Sequence, residues 1–352
     1  MAKYRVIGLM SGTSLDGLDI AYCTFKHEKN KWHYSIKHAV TIKYDNAWLK
    51  KIKAAHGLSS QKLLLLHNEF GKYLGTCVKQ FIKEHDINKI DLVASHGHTI
   101  FHQPDKHFTF QLWHVAAIAA ECGLPVVSDF RSLDVLLGGQ GAPLVPIGDK
   151  LLFPEYDFCL NLGGFANVSY QHKKERVAFD ICPVNIALNY LAGLLNKEYD
   201  KSGAIAASGN VDSKLLAKLD SLSYYKLAFP KSLGREWLEE EFLPLLNGSK
   251  ISVQDKLATV TEHIAVQIAK VLKGKGKVLV TGGGAFNTYL IKRIGSKTNV
   301  KLILTDKILI NYKEALVFAL LGVLRWRGEV NCLKSVTGAK RNNSGGSIYL
   351  AG

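Results

Sequence analysis

No stretch of this 352-residue chain approaches the roughly 18 consecutive apolar residues that a membrane-spanning helix needs, so no membrane partner is expected. Its opening, MAKYRVIGLM, enters a strand pattern at once and lacks the charged, apolar and small-residue order of a secretory signal, which points to the cytoplasm. The six cysteines (Cys23, Cys77, Cys122, Cys159, Cys182, Cys332) include no CxxC pair, which favours reduced core thiols over a disulfide framework or a zinc site. Acidic residues are the scarcer charge: 30 Asp and Glu against 45 Lys and Arg give a formal net charge of +15. Such an excess invites a nucleic-acid reading. Yet the lysines stand singly or in short pairs from Lys26 to Lys340, with no basic block, zinc-finger spacing or aromatic RNA-binding signature. No nucleic-acid partner is expected, and a solvated basic surface accounts for the balance.

What is present is ordinary for a folded protein, 47% hydrophobic and 21% charged. The length exceeds what one core usually supports, so two domains with a cleft between them are expected. Residues 4–10, 20–25 and 32–44 read as an antiparallel meander. From Ala47 to Glu84 the apolar spacing is helical, with Leu63, Leu66, Phe70, Leu74, Val78 and Phe81 three or four apart. A strand at 92–95, a helix at 116–122 and a strand at 125–128 then read as α/β crossover packing. Strands at 157–162, 166–170 and 175–180, followed by a helix at 185–195, repeat that outline. Residues 210–275 look mainly helical, a strand occupies 277–281, and the last apolar helix spans 313–325.

Three glycine turns interrupt this order. In the first, VIGLMSGTSLDGLDIAYCTF, a strand meets Ser11, Gly12, Thr13, Ser14, Leu15, Asp16, Gly17, Leu18 and Asp19 before a second strand begins. Small residues let backbone approach a ligand closely, and successive N–H groups in such a turn make a concave anion site. It is neither a Walker A loop nor a dinucleotide fingerprint, because no Lys follows the second glycine and a strand comes next. The second turn, LNLGGFANV, bends at Gly163 and Gly164 between Asn161 and Asn167. The third, VLVTGGGAFN, carries Gly282, Gly283, Gly284 and Asn287 and is expected to open a helix, where N-terminal donors favour phosphate. Each alone could be merely a tight turn. Together they describe two phosphate-gripping hairpins and a nucleotide-supporting loop.

Across nearly its full length the chain resembles the anhydro-N-acetylmuramic acid kinases, with GLMSGTSLDGLD, SHGHTIFH, DFR, GGQGAPLVP, NLGGFANV, KSLGRE, GGGAFN, the EA of KEALVFALLG and a closing TGA in that family's order. The resemblance implies an α/β, two-domain actin-like ATPase (ribonuclease H-like) fold with a central interdomain cleft. The lobes are expected at 1–130 plus about 333–352, and at 131–332, with a hinge near Asp129 to Gly141. It also implies ATP with Mg2+ as cofactors, an amino sugar as small-molecule substrate, and a possible homodimer. The glycine-turn residues named above become the ATP contacts. His98, Thr99, Arg131 and Glu314 become sugar contacts.

Phosphoryl transfer needs positioning, charge neutralisation and a base. Asp180 ends an apolar strand before a proline turn, which should bring its carboxylate to the sheet's C-terminal edge where ligands of α/β sheets collect. By resemblance it is the catalytic base; capping the helix near Asn185 is the alternative. Where the family commonly reads FDTGPGN this chain has FDICPVN, so Ile181, Cys182 and Val184 make the wall beside the base more apolar. Trp113 in QLWH, and Gly148-Asp149 after PLVP, depart from it too. Arg131 could fork two donors onto a carboxylate or pair with Asp129 or Asp134. Glu314 could instead be a helix-start charge favouring the dipole. His96, His98 and His102 share one face of an extended chain, yet no nearby ligand completes a metal set. Asp16, Asp19 and Asp180 are the candidates for Mg2+. A kinase for another amino sugar, or a nucleotide-driven filament or chaperone-like ATPase, are the competing readings.

Overall fold

The computed structural model describes residues 2–12 and 15–351, so Thr13 and Ser14 of the first glycine turn lie outside the described residues. It divides into two compact units, residues 1–152 with 312–352, and residues 153–311.

The first unit opens with β1 (Ala2–Ser11), β2 (Leu18–Glu28) and β3 (Lys31–Ile42), antiparallel neighbours as the meander requires. β4 (Leu92–Ser95) then pairs parallel with β1. A separate antiparallel hairpin follows, β5 (His98–Gln103) with β6 (Phe108–Leu112), and β7 (Val126–Ser128) pairs parallel with β4. The second unit begins with its own antiparallel meander, β8 (Phe158–Leu162), β9 (Phe165–His172) and β10 (Glu175–Pro183). β11 (Lys277–Thr281) adds parallel to β8, and β12 (Lys301–Leu304) parallel to β11. The closing strand β13 (Ser347–Tyr349) returns to β7 in the first sheet.

The sheet orders are β13-β7-β4-β1-β2-β3 and β10-β9-β8-β11-β12. In both, a meander's first strand is followed outward by two parallel crossover strands. This doubled order is the two-domain, ribonuclease H-like plan of the actin-like ATPases. The repeat read from element order in the sequence is therefore a repeat of topology.

Helical periodicity translates directly into packing. Leu66, Phe70, Leu74, Val78 and Phe81 form the buried stripe of the helix Ser60–Glu84. A separate helix, Asn46–Ala54, precedes it; Asp45 caps that helix by accepting from Trp48 N, and the 3₁₀ turn Ala55–Gly57 breaks the single run expected from sequence. In the second unit the helix Val253–Val271 is buried on nearly every side, from Leu257 and Ala258 through Val260 and Ile264 to Ile268.

Some boundaries differ from expectation. The chain crosses between units at 152/153 and 311/312, rather than near 130 and 332, because the helix Val145–Leu152 and most of the long helix Lys307–Trp326 belong to the first unit. Residues 129–141, expected to hinge, are tied within that unit by Asp134. This fully buried carboxylate accepts from Gly141 N, Cys332 Sγ, Thr337 Oγ1 and Asn343 Nδ2 at 2.8–3.0 Å. A carboxylate with four donors holds the GGQGAP loop to the closing TGA segment. No helix among the described residues is long and apolar enough to cross a membrane.

Candidate active site

In the second unit, the hairpin between β8 and β9 bends at Gly163 and Gly164. The carbonyls of these glycines face inward: Asn185 N donates to Gly163 O, and Val184 N and Ile186 N donate to Gly164 O. Their own N–H groups have no acceptor among the described residues, so the bend presents donors outward, the polarity an anion needs. Asn185 ties this turn to the next. Its Nδ2 donates to Leu162 O at 3.1 Å, and its amide lies about 3.3–3.4 Å from where Cβ atoms on Gly283 and Gly284 would stand. A Cβ on Gly284 would come 2.7 Å from Leu162 Cβ, so only glycine lets the two turns approach this closely. The sequence pattern alone gives Asn185 no role, although it stands immediately after the departing DICPV segment.

The third turn does not open directly into a helix. A 3₁₀ turn, Gly283–Phe286, intervenes, and the helix Thr288–Gly295 is capped by Asn287, whose Oδ1 accepts from Leu290 N at 3.0 Å. The helix N-terminus is thus displaced from the glycines, and the Asn287 oxygen is committed to the cap.

Asp180 lies in β10, but β10 does not end there. A bulge between Asp180 and Cys182 lets pairing resume through Cys182 and Pro183, so the carboxylate sits at a break inside the strand rather than at its end. The segment 224–233 wraps it. Leu233 N donates to Asp180 Oδ2 at 2.9 Å, Tyr224 OH donates to Asp180 O at 2.6 Å, and Asp180 N donates to Lys231 O. Oδ1 has no protein partner among the described residues. Burial raises the Asp180 pKa above the ordinary carboxylate value, and the Leu233 amide only partly offsets this. A carboxyl poised upward with one free oxygen suits a general base. It caps nothing: the helix Asn185–Gly193 has Val184 at its cap and no side-chain capping bond. The departing residues Ile181, Cys182 and Val184 are all within 2% of full burial and belong to the unit's hydrophobic core, so their side chains pack inward.

In the first unit, β1 ends at Ser11 and β2 begins at Leu18, with Asp19 its second residue. Leu15 N donates to Gly12 O, and Gly17 has φ +153° with Ile42 O only 2.5 Å from a would-be Cβ. Asp19 accepts from Thr41 Oγ1 at 2.6 Å. Its pKa is raised, chiefly by burial and further by Asp16, against the Thr41 bond. At the start of the turn, buried Ser11 lies between Tyr44 OH at 2.6 Å and His98 Nδ1 at 2.8 Å. Burial depresses His98 to about 4, so the ring is neutral. Tyr44 donates to Ser11, and where Ser11 passes its own proton on to His98 Nδ1, His98 keeps its proton on Nε2.

His96, two residues earlier, is locked in the opposite tautomer. Its Nε2 accepts from Arg131 Nε and Nη2 at 3.0 and 2.8 Å, so Nδ1 carries the proton and donates to Gly97 O. Burial, then the Arg131 charge, holds it neutral. Arg131 also donates from Nη1 to Gly141 O. With five N–H donors in a guanidinium, one remains on each terminal nitrogen, an end-on pair able to meet a carboxylate. Arg131 pairs with neither Asp129 nor Asp134 among the described ion pairs; burial lowers it to about 10, opposed by Glu314. His102 meets Thr109 instead. The three histidines have separate partners, and the described residues contain no metal-type cluster.

Thr99 pairs with Gln111 beside a bulge in the β5–β6 hairpin. Glu314 lies inside, not at the start of, the helix Lys307–Trp326, beyond the first turn where a dipole favours acid. Its carboxyl is pushed up by burial and by Asp19, against Lys313 and Arg131. Lys313 itself pairs with Asp149 at 2.7 Å, both side chains buried, which places the departing Asp149 in a buried ion pair. Trp113 packs over Gly97, and Trp113 N donates to His67 Nδ1.

A protein named anhydro-N-acetylmuramic acid kinase from Shewanella woodyi is 35% identical over 370 residues, covering 100% of both chains. Another of the same name, from Shewanella sp. (strain MR-7), is 36% identical over 370 residues with the same coverage. Among solved structures, the (R)-2-hydroxyglutaryl-CoA dehydratase component A of Acidaminococcus fermentans aligns at TM-score 0.47 and 12% identity, over 91% of this chain and 97% of that one. The family model described as Anhydro-N-acetylmuramic acid kinase matches residues 4–351, and the chain belongs to that family.

Proposed function

We propose that the protein is a cytoplasmic, ATP-dependent sugar kinase that converts 1,6-anhydro-N-acetylmuramic acid, with addition of water, to N-acetylmuramic acid 6-phosphate in cell-wall sugar recycling. The observation that carries the reading is Asp180: a carboxyl held by a backbone amide on one oxygen, free on the other, and raised toward basicity by burial.

In the reaction Asp180 takes a proton from water as the water oxygen bonds to the anomeric carbon. The bond from that carbon to O6 breaks, O6 bonds to the γ-phosphorus, and ADP leaves with the electrons of the broken P–O bond. The outward N–H groups of Gly163 and Gly164 and the turn at Gly282 to Gly284 receive the nucleotide, with Gly12 to Asp19 gripping phosphate. His98 presents its Nε2 proton and Thr99 its hydroxyl to the sugar. Arg131 offers its end-on pair to the lactyl carboxylate, and Glu314 accepts from a sugar hydroxyl or amide.

Asp16 and Asp19 fit a divalent cation, because the charge on Asp19 is disfavoured by burial and by Asp16 beside it, a strain that a cation relieves. Bound with ATP, Mg2+ would neutralise phosphate charge. Asp180 serves as base and is left out of that ligand set.

Turnover in heavy-oxygen water tests the reading. The label is expected on the anomeric oxygen of the sugar phosphate and not in phosphate. Label in released inorganic phosphate would show plain ATP hydrolysis and sink the proposal.

A further inference from the structure

The segment that holds Asp180 has a second face. There the second unit contains a cavity of about 330 Å³ whose walls include Tyr170, Phe179, Phe229, Lys231, Lys270 and Lys273, and no carboxylate lines it. The volume is within the range of small-ligand sites. Phe179 and Phe229 stack in parallel, centroids 5.8 Å apart, and Lys231 Nζ lies 4.5 Å from the Tyr224 ring and 5.8 Å from the Phe179 ring. The only hydrogen bond of that ammonium among the described residues goes to Tyr224 O, a neutral carbonyl. Lys270 and Lys273 are exposed and form no ion pair among the described residues. The charge of Lys270 acts on Asp220, whose Oδ1 is already shared by His263 and by Gln267.

Three ammonium groups that form no salt bridge among the described residues, set against aromatic faces, form a site for an anion with a ring body. Ammonium groups hold a phosphate monoester as point charges, aromatic faces take the C–H face of a pyranose, and Gln267 lies on the wall among the polar groups. The cavity also adjoins the catalytic carboxyl mechanically. Lys231, in its wall, accepts from Asp180 N through its carbonyl, and two residues on Leu233 N holds Asp180 Oδ2. Tyr225, also in the wall, follows Tyr224, whose hydroxyl holds Asp180 O.

We propose that this cavity is a second ligand site, for a sugar phosphate, and that its occupant acts on Asp180 through residues 224–233. The choice of a sugar phosphate rests on the function proposed above, because that is the chemical class of the product. A filled site draws Lys231 toward the phosphate and shifts the Leu233 amide, so the product class slows the enzyme at a place other than the active site.

Titration calorimetry of the full chain with N-acetylglucosamine 6-phosphate, in a background of saturating acceptor sugar, tests this directly. Saturable binding is expected, with inorganic phosphate at least about tenfold weaker. The double variant Lys270→Glu, Lys273→Glu should lose about tenfold or more in affinity, as reversal of two phosphate-facing charges implies, with unchanged turnover in the absence of sugar phosphate. Added sugar phosphate should slow the wild type and not the double variant. Affinity unchanged by the double substitution, or no binding once acceptor sugar is present, overturns the site. Inorganic phosphate binding as tightly as the sugar phosphate overturns the ligand class. Because the calorimetry needs no turnover, a chain that proves not to be a kinase would refute the function while leaving this binding result readable on its own.

Discussion

The two glycine hairpins occupy equivalent places in two sheets of the same strand order, yet they are finished differently. In the second unit the bend is two residues long, and the carbonyls of Gly163 and Gly164 are consumed by the amides of residues 184–186. In the first unit the bend runs from Gly12 to Gly17, carries Asp16, and is followed by Asp19, which is buried against its own charge. One hairpin offers backbone donors and no charge. The other adds carboxylates, the groups a phosphate-bound cation would meet. A repeated topology thus places a hairpin at the same point of each sheet, and on the function proposed above the side chains divide the labour between anion and cation.

The comparison breaks most visibly at Asp180, which has no counterpart in the meander of the first unit as a free carboxyl at a bulge. Asp180→Asn is expected to lower the rate of ADP release about a hundredfold to ten-thousandfold, the usual loss when a general base is removed, while ATP binding measured by calorimetry stays unchanged. A variant that retains more than about a tenth of the wild-type rate would move the proton acceptor elsewhere.

Next in size is a pair of glycine substitutions, one in each hairpin. A Cβ on Gly164 meets nothing closer than Ile186 Cβ at 3.9 Å, so Gly164→Val should fold normally yet weaken ATP binding about tenfold or more, on the order of a lost hydrogen bond. Gly17 has φ +153° and Ile42 O in the way, so Gly17→Ala should destabilise the fold by about 1–3 kcal/mol. Thermal melts and nucleotide titrations on both variants read the difference. Equal loss of stability in the two would mean that the Gly164 bend is structural, like Gly17, and not open to ligand.

A smaller effect is expected behind His98. Tyr44→Phe removes the donor that sets the direction of the bond through Ser11, freeing His98 to exchange tautomers. The expected outcome is a KM for the sugar raised by roughly threefold to tenfold with kcat little changed, as for loss of about one hydrogen bond. Nitrogen-15 chemical shifts of His98 should show a single Nε2–H form in the wild type and a mixture in the variant. A single form in both would remove the relay.

Much of this was legible in the sequence because it depends on local pattern. The meander, the helical stripe from Leu66 to Phe81 and the three glycine turns follow from period and composition. What was not legible depends on contacts distant in sequence. The bulge that carries β10 past Asp180 is set by its pairing with β9, and no residue of FDICPVN announces it. Asp134 looked like a partner for Arg131, but Cys332, Thr337 and Asn343, some two hundred residues away, claim it instead. Asn287 reads as a nucleotide contact, and nothing in its local sequence tells that its side-chain oxygen also caps the helix after the 3₁₀ turn. In the short hairpin β5–β6 only FTFQL alternates apolar and polar residues, and its partner HTIFHQ does not, so no paired alternation marks the two strands.

The smallest expected effect concerns stability, and it runs opposite in sign to the loss of activity. Burial raises the pKa of Asp180 in the folded protein above the ordinary value of 3.8. Between those two pKa values the native state holds a proton that the unfolded chain has released. Folding stability from this group is therefore full below the unfolded pKa and declines as pH rises through the folded one. At neutral pH the buried charge is a standing penalty, which the Leu233 amide offsets only in part. Asparagine keeps an oxygen to accept from Leu233 and carries no charge, so Asp180→Asn should melt higher than the wild type at pH 7, by about 1–2 °C for a chain of this size. The gain should shrink as pH falls toward the unfolded pKa, where the wild-type carboxyl is protonated in both states. Calorimetric melts at pH 7 and at the lowest pH at which both proteins stay folded provide the check. A gain independent of pH would assign the effect to packing, and a lower melting point at pH 7 would mean that the charge is satisfied by a partner within the fold, leaving Asp180 no nearer to a base than Asp134.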